Sequence, residues 1–244
     1  MLGRVIALWR YPVKSMLGER LDRAWLGVEG IEGDRGWALR DTETGRVLSA
    51  KKVSQLLQSR ARVEGREVRV ELPTGEMLDV TDRESAKAIG EWLGRDIELV
   101  PAPGGTERPM VEGDTRVFRG RAGGFFDSSA FHIVSTSTLE QLSTHHPEGR
   151  FDPRRFRPNV VLETPEEGFV EQSWIGSSLR IGGALIAISK PCERCVMTTH
   201  AQEDLPVDRD ILRTALKHND ENVGVYGIVR EPGTISVGDE AVIV

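Results

Sequence analysis

The chain has 244 residues, of which 39% are hydrophobic and 29% are charged, and this composition is typical of a globular protein. Its net charge of −6 argues against broad nucleic-acid binding, although a local basic pocket remains compatible with it. The first residues contain only a short apolar run, VIALW, which suits a strand better than an export signal. Two cysteines do not make a secreted disulfide scaffold, so we expect a cytoplasmic protein without membrane insertion.

The first half of the chain is dominated by short alternating runs of apolar and polar residues, the pattern of β-strands. These runs predict strands over residues 3–10, 36–41 and 46–50. Residues 66–80 predict a hairpin, because two alternating runs flank the turn sequence Pro73, Thr74, Gly75. Thr81 with Glu84 three positions later is the pattern of a capping box and predicts a helix over 85–94.

The second half has the same character. Strands are predicted over residues 131–135, 159–163, 177–183, 184–190, 224–230 and 240–244. Ser137 with Glu140 predicts a capped helix over 135–146. A second, amphipathic helix is predicted over 207–219, with one apolar face formed by Ile211, Leu212, Ala215 and Leu216.

Between the two halves, residues 101–114 are rich in proline, glycine and charge. This composition predicts a domain boundary near residue 105, between a first domain over 1–104 and a second over 105–244. Many short strands with few helices predict a mainly β fold with some α. We expect two β-barrel-like lobes decorated with short helices.

The only two cysteines, Cys192 and Cys195, lie in the sequence PCERCVMTTH. A structural zinc site wants four nitrogen or sulfur ligands, and the five histidines show no paired spacing that would complete one. A redox dithiol normally opens a helix, whereas β-branched residues follow Cys195, and an iron–sulfur cluster would need four cysteines. We expect Cys192 to be a small buried residue. For Cys195, beside Arg194, the residues alone leave a buried thiol and a single thiolate ligand for a soft metal both open.

Several longer motifs occur in a fixed order along nearly the whole chain. They are YPVKSMLGE and GDRGWAL in the first half, and FRPNVVLE, SLRIGGALI, CERCVMTT, VYGIV and PGTISVGD in the second. With this ordered set the chain resembles the MOSC family, named after the C-terminal domain of molybdenum-cofactor sulfurases. It is similar in particular to the two-domain branch that includes the mitochondrial amidoxime-reducing component and its bacterial relatives. In that branch an N-terminal MOSC β-barrel domain precedes the MOSC β-barrel.

The resemblance implies a molybdenum-cofactor oxidoreductase that reduces N-hydroxylated substrates such as amidoximes, hydroxylamines and N-hydroxylated bases. In the family, the metal of Mo-molybdopterin is bound by the pterin dithiolene and by the second cysteine of the C-x-x-C stretch, which maps onto Cys195 as the catalytic ligand. Electrons would come from a separate ferredoxin-, flavodoxin- or cytochrome-type protein, because this chain lacks the four cysteines of a fused ferredoxin domain. The alternative is a carrier that holds a persulfide on Cys195 or delivers the cofactor. A β-barrel binding module without metal is a third interpretation.

The resemblance also implies which residues bind the cofactor. They are Lys14, Ser15, Arg35, Asp127, Ser128, Arg157, Asn159, Glu193, Arg194, Cys195 and Tyr226. Arginine and lysine suit the phosphate of the pterin, because they form charge-assisted hydrogen bonds. Plainer interpretations exist as well: Lys14 and Arg35 as solvated charges at strand ends, and Tyr226 as a core residue.

Two features of the second half carry separate expectations. Arg154, Arg155 and Arg157 form a basic cluster, but the acidic chain and the lack of interleaved aromatic residues argue against a nucleic-acid patch. Residues 198–212, TTHAQEDLPVDRDIL, lack the Asp-Pro pair that follows the cysteine motif in many relatives. This departure leaves metal ligation by Cys195 as expected and bears on the substrate range.

Overall fold

The computed structural model describes residues 2–102 and 124–244, which form a mainly β structure with four α-helices. Its strands are β1 (Gly3–Arg10), β2 (Glu19–Leu21), β3 (Arg23–Gly27), β4 (Gly30–Ile31), β5 (Trp37–Asp41), β6 (Arg60–Glu64), β7 (Glu67–Glu71), β8 (Met77–Asp79), β9 (Ile97–Pro101), β10 (Phe131–Ser135), β11 (Val160–Glu163), β12 (Ser178–Ile181), β13 (Ala184–Glu193), β14 (Asn222–Glu231), β15 (Gly233–Ser236) and β16 (Glu240–Ile243). Its helices are α1 (Arg83–Leu93), α2 (Thr136–His145), α3 (Pro153–Phe156) and α4 (Asp210–Asn219), with short 3₁₀ helices at Ser54–Gln58, Val170–Trp174 and Val196–Thr199. None of the helices in these ranges is long and apolar enough to cross a membrane.

Seven strands close into a barrel in the order β11-β10-β14-β13-β12-β16-β1, and β1 then pairs with β11. The first strand of the chain is therefore one strand of a barrel whose other six strands come from the second half. It pairs with β16 through Gly3 and Ala241, and with β11 through Leu8 and Val160. This barrel and the helices α2–α4 around it are called the barrel lobe below.

A register shift in β1 sets what this strand buries. The shift lies between Val5 and Ala7, so that Val5 and Leu8 both enter the barrel core although strict alternation would separate them. Both side chains are fully buried, as is nearly all of Trp174. The small sheet β15-β3-β4 adds further apolar residues to the same core.

The remaining strands of the first half form the N-terminal lobe. In the described residues its sheets, β5-β9 and β6-β7-β8, are open. Helix α1 packs Ile89 and Leu93 into the core between them. The expected mainly β fold with two barrel-like lobes is confirmed, with a closed barrel in the barrel lobe. The expected domain boundary near residue 105 lies outside the described residues and stays a prediction.

The expected strand over residues 46–50 is wrong. Val47 makes only a single bridge with Arg40, while Val47, Leu48 and Ala50 are buried in irregular backbone. The apolar pattern here reflects burial of a loop, because a short apolar run does not by itself distinguish a strand from other buried segments.

Both expected capping boxes are wrong in the residue that caps. Helix α1 is capped by Asp82, whose carboxylate accepts from Glu84 N–H, while Thr81 bonds to Asp79 in the preceding turn. Helix α2 is capped by Ser135, whose hydroxyl accepts from Thr138 N–H. A cap pattern one or two residues out of place is common where several serine, threonine and aspartate residues compete for the same free N–H groups.

Helix α4 also differs from expectation on one face. It buries Ile211 and Ala215 together with Thr214, whereas Leu216 is 57% exposed. The buried stripe therefore lies about one position away from the one that apolarity predicts.

Leu8→Ala should test the role of β1 in the barrel core. We expect the free energy of unfolding to fall by about 2–5 kcal/mol, because the substitution leaves a cavity where β1 meets β11. The matched control is Leu216→Ala on the exposed face of α4, which should change stability by no more than about 0.5 kcal/mol. Urea unfolding followed by circular dichroism measures both, and equal losses would contradict the assignment of Leu8 to the core.

Candidate functional site

A cleft of about 630 Å³ lies between the N-terminal lobe and the barrel lobe. All eleven residues implied as cofactor-binding by the resemblance line it: Lys14, Ser15, Arg35, Asp127, Ser128, Arg157, Asn159, Glu193, Arg194, Cys195 and Tyr226. The sequence interpretation missed other lining residues, among them Lys51, Phe126, His132, Lys190 and Met197. We call this region the basic cleft.

The charge of the basic cleft opposes that of the chain. Its basic lining residues are Lys14, Arg35, Lys51, Arg157, Lys190 and Arg194, and its acidic ones are Asp127, Glu193 and Glu221. A chain with a net charge of −6 has thus gathered an excess of cations at one place. Such a concentration of like charge favours an anionic ligand.

Three lining residues adopt the left-handed backbone conformation that favours glycine: Ser15 at φ 67°, Arg35 at 52° and Arg157 at 52°. Two of them are held by backbone hydrogen bonds: Arg35 N–H donates to the Tyr11 carbonyl at 2.7 Å, and Arg157 N–H donates to the Pro153 carbonyl at 3.0 Å, closing helix α3. A strained conformation of this kind costs about 1–3 kcal/mol and persists where the surroundings determine it. These three positions therefore carry side chains where glycine would adopt the same backbone conformation with less strain.

Asp34 is the buried acid that organises this strained region. Its carboxylate accepts from Tyr11 N–H at 2.7 Å, from the Asn159 amide at 2.9 Å and from the Arg35 guanidinium. It was missed in the sequence, although its place beside Arg35 in GDRGW offered a signal. Asn159 also donates to the Trp9 carbonyl and accepts from His132 N–H. Its side chain thus joins strands, and the wall of the basic cleft depends on it.

Tyr11 forms a platform for two arginines. The guanidinium carbons of Arg157 and Arg35 lie 4.2 and 4.8 Å from the centre of its ring, a distance at which cation–π attraction operates. Burial raises the pKa of Tyr11 well above its ordinary value, and its hydroxyl donates to the Pro158 carbonyl at 3.2 Å. Burial lowers the pKa of Arg157 to about 10, and the charge of Arg35 acts in the same direction. Arg157 remains charged at neutral pH, and it donates to the Met16 carbonyl.

Two lysines share one carboxylate. Buried Lys14 lies 2.5 Å from Asp127, and half-buried Lys51 lies 3.2 Å from its other oxygen. Burial alone raises the pKa of Asp127, but the charges of Lys14 and Lys51 outweigh it and hold the pKa well below its usual range. Lys14 also donates to the Phe125 carbonyl at 3.1 Å. The plainer interpretation of Lys14 as a solvated charge at a strand end is therefore wrong.

The two cysteines have different surroundings. Cys195 lies two residues after the end of β13, is half-buried and lines the basic cleft. Its carbonyl accepts from the N–H and hydroxyl of Thr198 at 3.1 and 3.0 Å, which begins the short 3₁₀ helix. Cys192 is fully buried, as expected, but its sulfur also accepts a hydrogen bond from the Arg194 guanidinium at 2.6 Å.

His132 is a further buried residue of the cleft wall. Its Nε2 lies 2.9 Å from the Val223 carbonyl, and since a carbonyl can only accept, this nitrogen carries the proton. Burial lowers the pKa of His132 from its ordinary 6.5 to about 3, and the charge of Arg194 adds to the effect. The ring centre of Tyr226 lies 5.8 Å away. Tyr226 therefore belongs to both the cleft wall and an aromatic contact.

Arg154 and Arg155 of the arginine cluster are both engaged by other residues of the protein. Arg155 is fully buried and donates to the carbonyls of Arg150, Thr198, His200 and Pro206. Arg154 pairs with Asp152, Glu203 and Asp204. These contacts fix the segment after Cys195, where the chain departs from the Asp-Pro pattern.

Two family models match the chain. The model described as the MOSC domain matches residues 120–242, and the one described as the MOSC N-terminal beta barrel domain matches residues 2–93.

Among curated proteins, the human mitochondrial amidoxime-reducing component 1 is 24% identical over 286 aligned residues, covering 98% of this chain and 82% of that protein. The mitochondrial amidoxime reducing component 2 of Bos taurus is 25% identical over 288, with the same coverage. Among solved structures, the YUAD protein from Bacillus subtilis has a similar fold, with a TM-score of 0.53 at 16% identity over 99% of this chain and 94% of that one.

Asp34→Asn should show how much depends on the buried carboxylate. We expect the free energy of unfolding to fall by about 3–5 kcal/mol, because the variant leaves Arg35 without its buried partner. The matched control is Asp210→Asn, which breaks an exposed pair with Arg213 and should cost less than about 1 kcal/mol. Chemical unfolding at neutral pH measures both, and a loss for Asp34→Asn no larger than the control's would contradict the role of Asp34.

His132 should make stability depend on pH. The pKa of His132 is lower in the folded protein than in the unfolded chain. The unfolded chain therefore binds a proton at His132 below about pH 6.5, whereas the folded protein binds it only near pH 3. Stability should therefore fall as the pH is lowered through this window, and between pH 7 and pH 5 this one group should contribute a loss of about 2 kcal/mol. Unfolding at both pH values compares the wild type with His132→Gln, which keeps a donor for Val223. Parallel losses in the two proteins would contradict the prediction.

Proposed function

The chain belongs to the MOSC-domain family, and from that premise we propose that it is a molybdenum-cofactor oxidoreductase that reduces N-hydroxylated compounds. The observation that carries the proposal is the basic cleft itself, where a half-buried cysteine lies among six basic side chains. The curated relatives are named as amidoxime-reducing components, which supports amidoximes, hydroxylamines and N-hydroxylated bases as the substrate class.

The residues present fit the cofactor in their chemistry. A thiolate such as that of Cys195 is a ligand that soft metals prefer. The cationic side chains suit a phosphate, because arginine and lysine donate charge-assisted hydrogen bonds to its oxygens. Arg194 has a buried Nε–H without a partner among the described residues, and a buried donor of that kind calls for an acceptor in the bound molecule.

Distinct groups of residues would hold distinct parts of the cofactor. Cys195 would bind the metal, and Lys14, Lys51 and Arg157 would bind the phosphate and the polar pterin edge. Asp127 and Ser128 offer acceptors, and Ser15, Asn159, Glu193 and Tyr226 complete the wall. When bound, the molybdenum cofactor supplies the two-electron redox chemistry. The protein supplies the anion-binding charge, the fixed thiol and the shape of the pocket.

The net reaction fixes what else the protein needs. Reduction of an amidoxime to an amidine consumes two electrons and two protons, breaks the N–O bond and releases water. The two cysteines of this sequence are too few for a four-cysteine cluster, and we propose a separate ferredoxin-, flavodoxin- or cytochrome-type protein as the electron donor. The cytoplasmic location expected from the sequence stays a prediction.

A sulfur or cofactor carrier is the second candidate, because Cys195 is half-buried and lies beside the charge of Arg194. In that role Cys195 would hold a persulfide, or the protein would bind the cofactor only to deliver it. Persulfide labelling of Cys195 and transfer of cofactor to an apo-acceptor distinguish a carrier from a reductase.

The proposal is tested with protein from a host that overproduces molybdenum cofactor. We expect near-stoichiometric molybdenum by elemental analysis, a matching amount of released pterin, and reduction of an amidoxime panel with a chemical reductant. Cys195→Ser should lose activity by at least about a hundredfold, because it removes the proposed ligand of the metal. The control Val196→Ala changes an exposed neighbour and should behave as the wild type. If the wild type binds neither molybdenum nor pterin, the reductase proposal fails, and a loaded protein without turnover favours the carrier.

A further inference from the structure

The pair of cysteines in CERC raises the question of why the buried one is a cysteine. Cys192 lies near the end of β13, where the pairing with β14 shifts register between Pro191 and Glu193. It is fully buried and is not part of the lining of the basic cleft. Packing alone would be served as well by alanine or valine. Its sulfur, however, accepts a hydrogen bond from the Arg194 guanidinium at 2.6 Å.

Arg194 is held at several points. One Nη donates to Cys192 and the other to the Phe156 carbonyl at 2.6 Å, while its backbone N–H donates to Glu221 at 2.8 Å. The guanidinium carbon also lies 5.8 Å from the centre of the Phe156 ring. With both Nη groups engaged, Nε is the one guanidinium nitrogen that has no partner among the described residues, and Arg194 lines the cleft directly before Cys195.

Two acids of this region are engaged elsewhere. Asp34 pairs with Arg35, and Asp127 pairs with Lys14 and Lys51. Among the described residues no carboxylate forms a salt bridge with Arg194, so sulfur takes the acceptor's place.

We infer that Cys192 is a positioning residue that orients Arg194 toward the pterin of the bound cofactor. The two cysteines then have separate tasks, one as acceptor for the arginine between them and the other as ligand at the cleft. This inference rests on the proposed function where it concerns the cofactor, whereas the contact between Cys192 and Arg194 is a property of the chain alone.

Conservative substitutions separate this role from packing. Serine keeps an acceptor at position 192 but places a hydroxyl in the interior, whereas alanine removes the acceptor and suits an apolar site. We expect Cys192→Ala to lower the pterin retained after gel filtration by about tenfold, because a charged hydrogen bond is lost, and Cys192→Ser to retain at least half. Ile188→Val, on the same strand, is the packing control and should lower stability while pterin stays bound. Retention in Cys192→Ala equal to or above that in Cys192→Ser would overturn the inference.

A second measurement needs no cofactor. The full chain is produced in a host unable to make molybdenum cofactor, and urea unfolding is compared for the wild type, Cys192→Ala, Arg194→Met and the double variant. Each single variant should raise the unfolding equilibrium constant by some factor over the wild type. Because the contact can be lost only once, we expect the factor for the double variant to be about tenfold smaller than the product of the two single factors. Independent effects would overturn the contact and the positioning role with it. If the coupling is present but the wild type retains no pterin in the cofactor-producing host, the contact stands, while the proposed function and the positioning role toward the cofactor both fail.

Discussion

The buried carboxylate of Asp34 is the interaction on which the geometry of the basic cleft depends. It receives hydrogen bonds from the end of the first barrel strand at Tyr11, from the strained Arg35 and from Asn159 beside β11. An isolated buried charge is strongly unfavourable, so the carboxylate and its three donors stabilise each other only when all are in place. The turn after β4 and the wall of the barrel are thereby fixed relative to each other.

Concentrating cations between the lobes opposes folding, and the structure shows how the protein limits that cost. Tyr11 offers its aromatic ring to both Arg35 and Arg157, and Asp127 is shared by two lysines. Part of the cost remains. It is visible in the depressed pKa of Arg157 and in the left-handed backbone at Ser15, Arg35 and Arg157. Strain and like charge that collect at one place are typical of binding sites, where a ligand of opposite charge relieves them.

Much of the fold was predictable from local patterns. Alternation identified β1, the hairpin of β7 and β8, and most strands of the barrel, because side-chain periodicity in a strand follows from backbone geometry alone. The pattern failed for residues 46–50 and for the caps of α1 and α2, where several geometries suit the same residues. All the cofactor-binding residues implied by the family motifs do line one cleft, although their roles there remain predictions. The sequence did not identify three residues of the site, namely Asp34, Lys51 and His132, because each is an ordinary polar residue until its partners are known.

The sequence by itself determined the kind of elements, the ordered motifs and the presence of one cysteine pair. For Cys195 the residues alone left a buried thiol and a single thiolate ligand both open. Only the tertiary structure decided that β1 closes the barrel between β16 and β11, and that Lys51 joins Lys14 at Asp127. Only the tertiary structure, too, showed that Cys192 contacts Arg194 while Cys195 borders the cleft. The reason is physical: strand periodicity and turn chemistry act between near neighbours in the chain. The environment of a charge or a thiol, in contrast, is set by residues that folding brings together from distant positions.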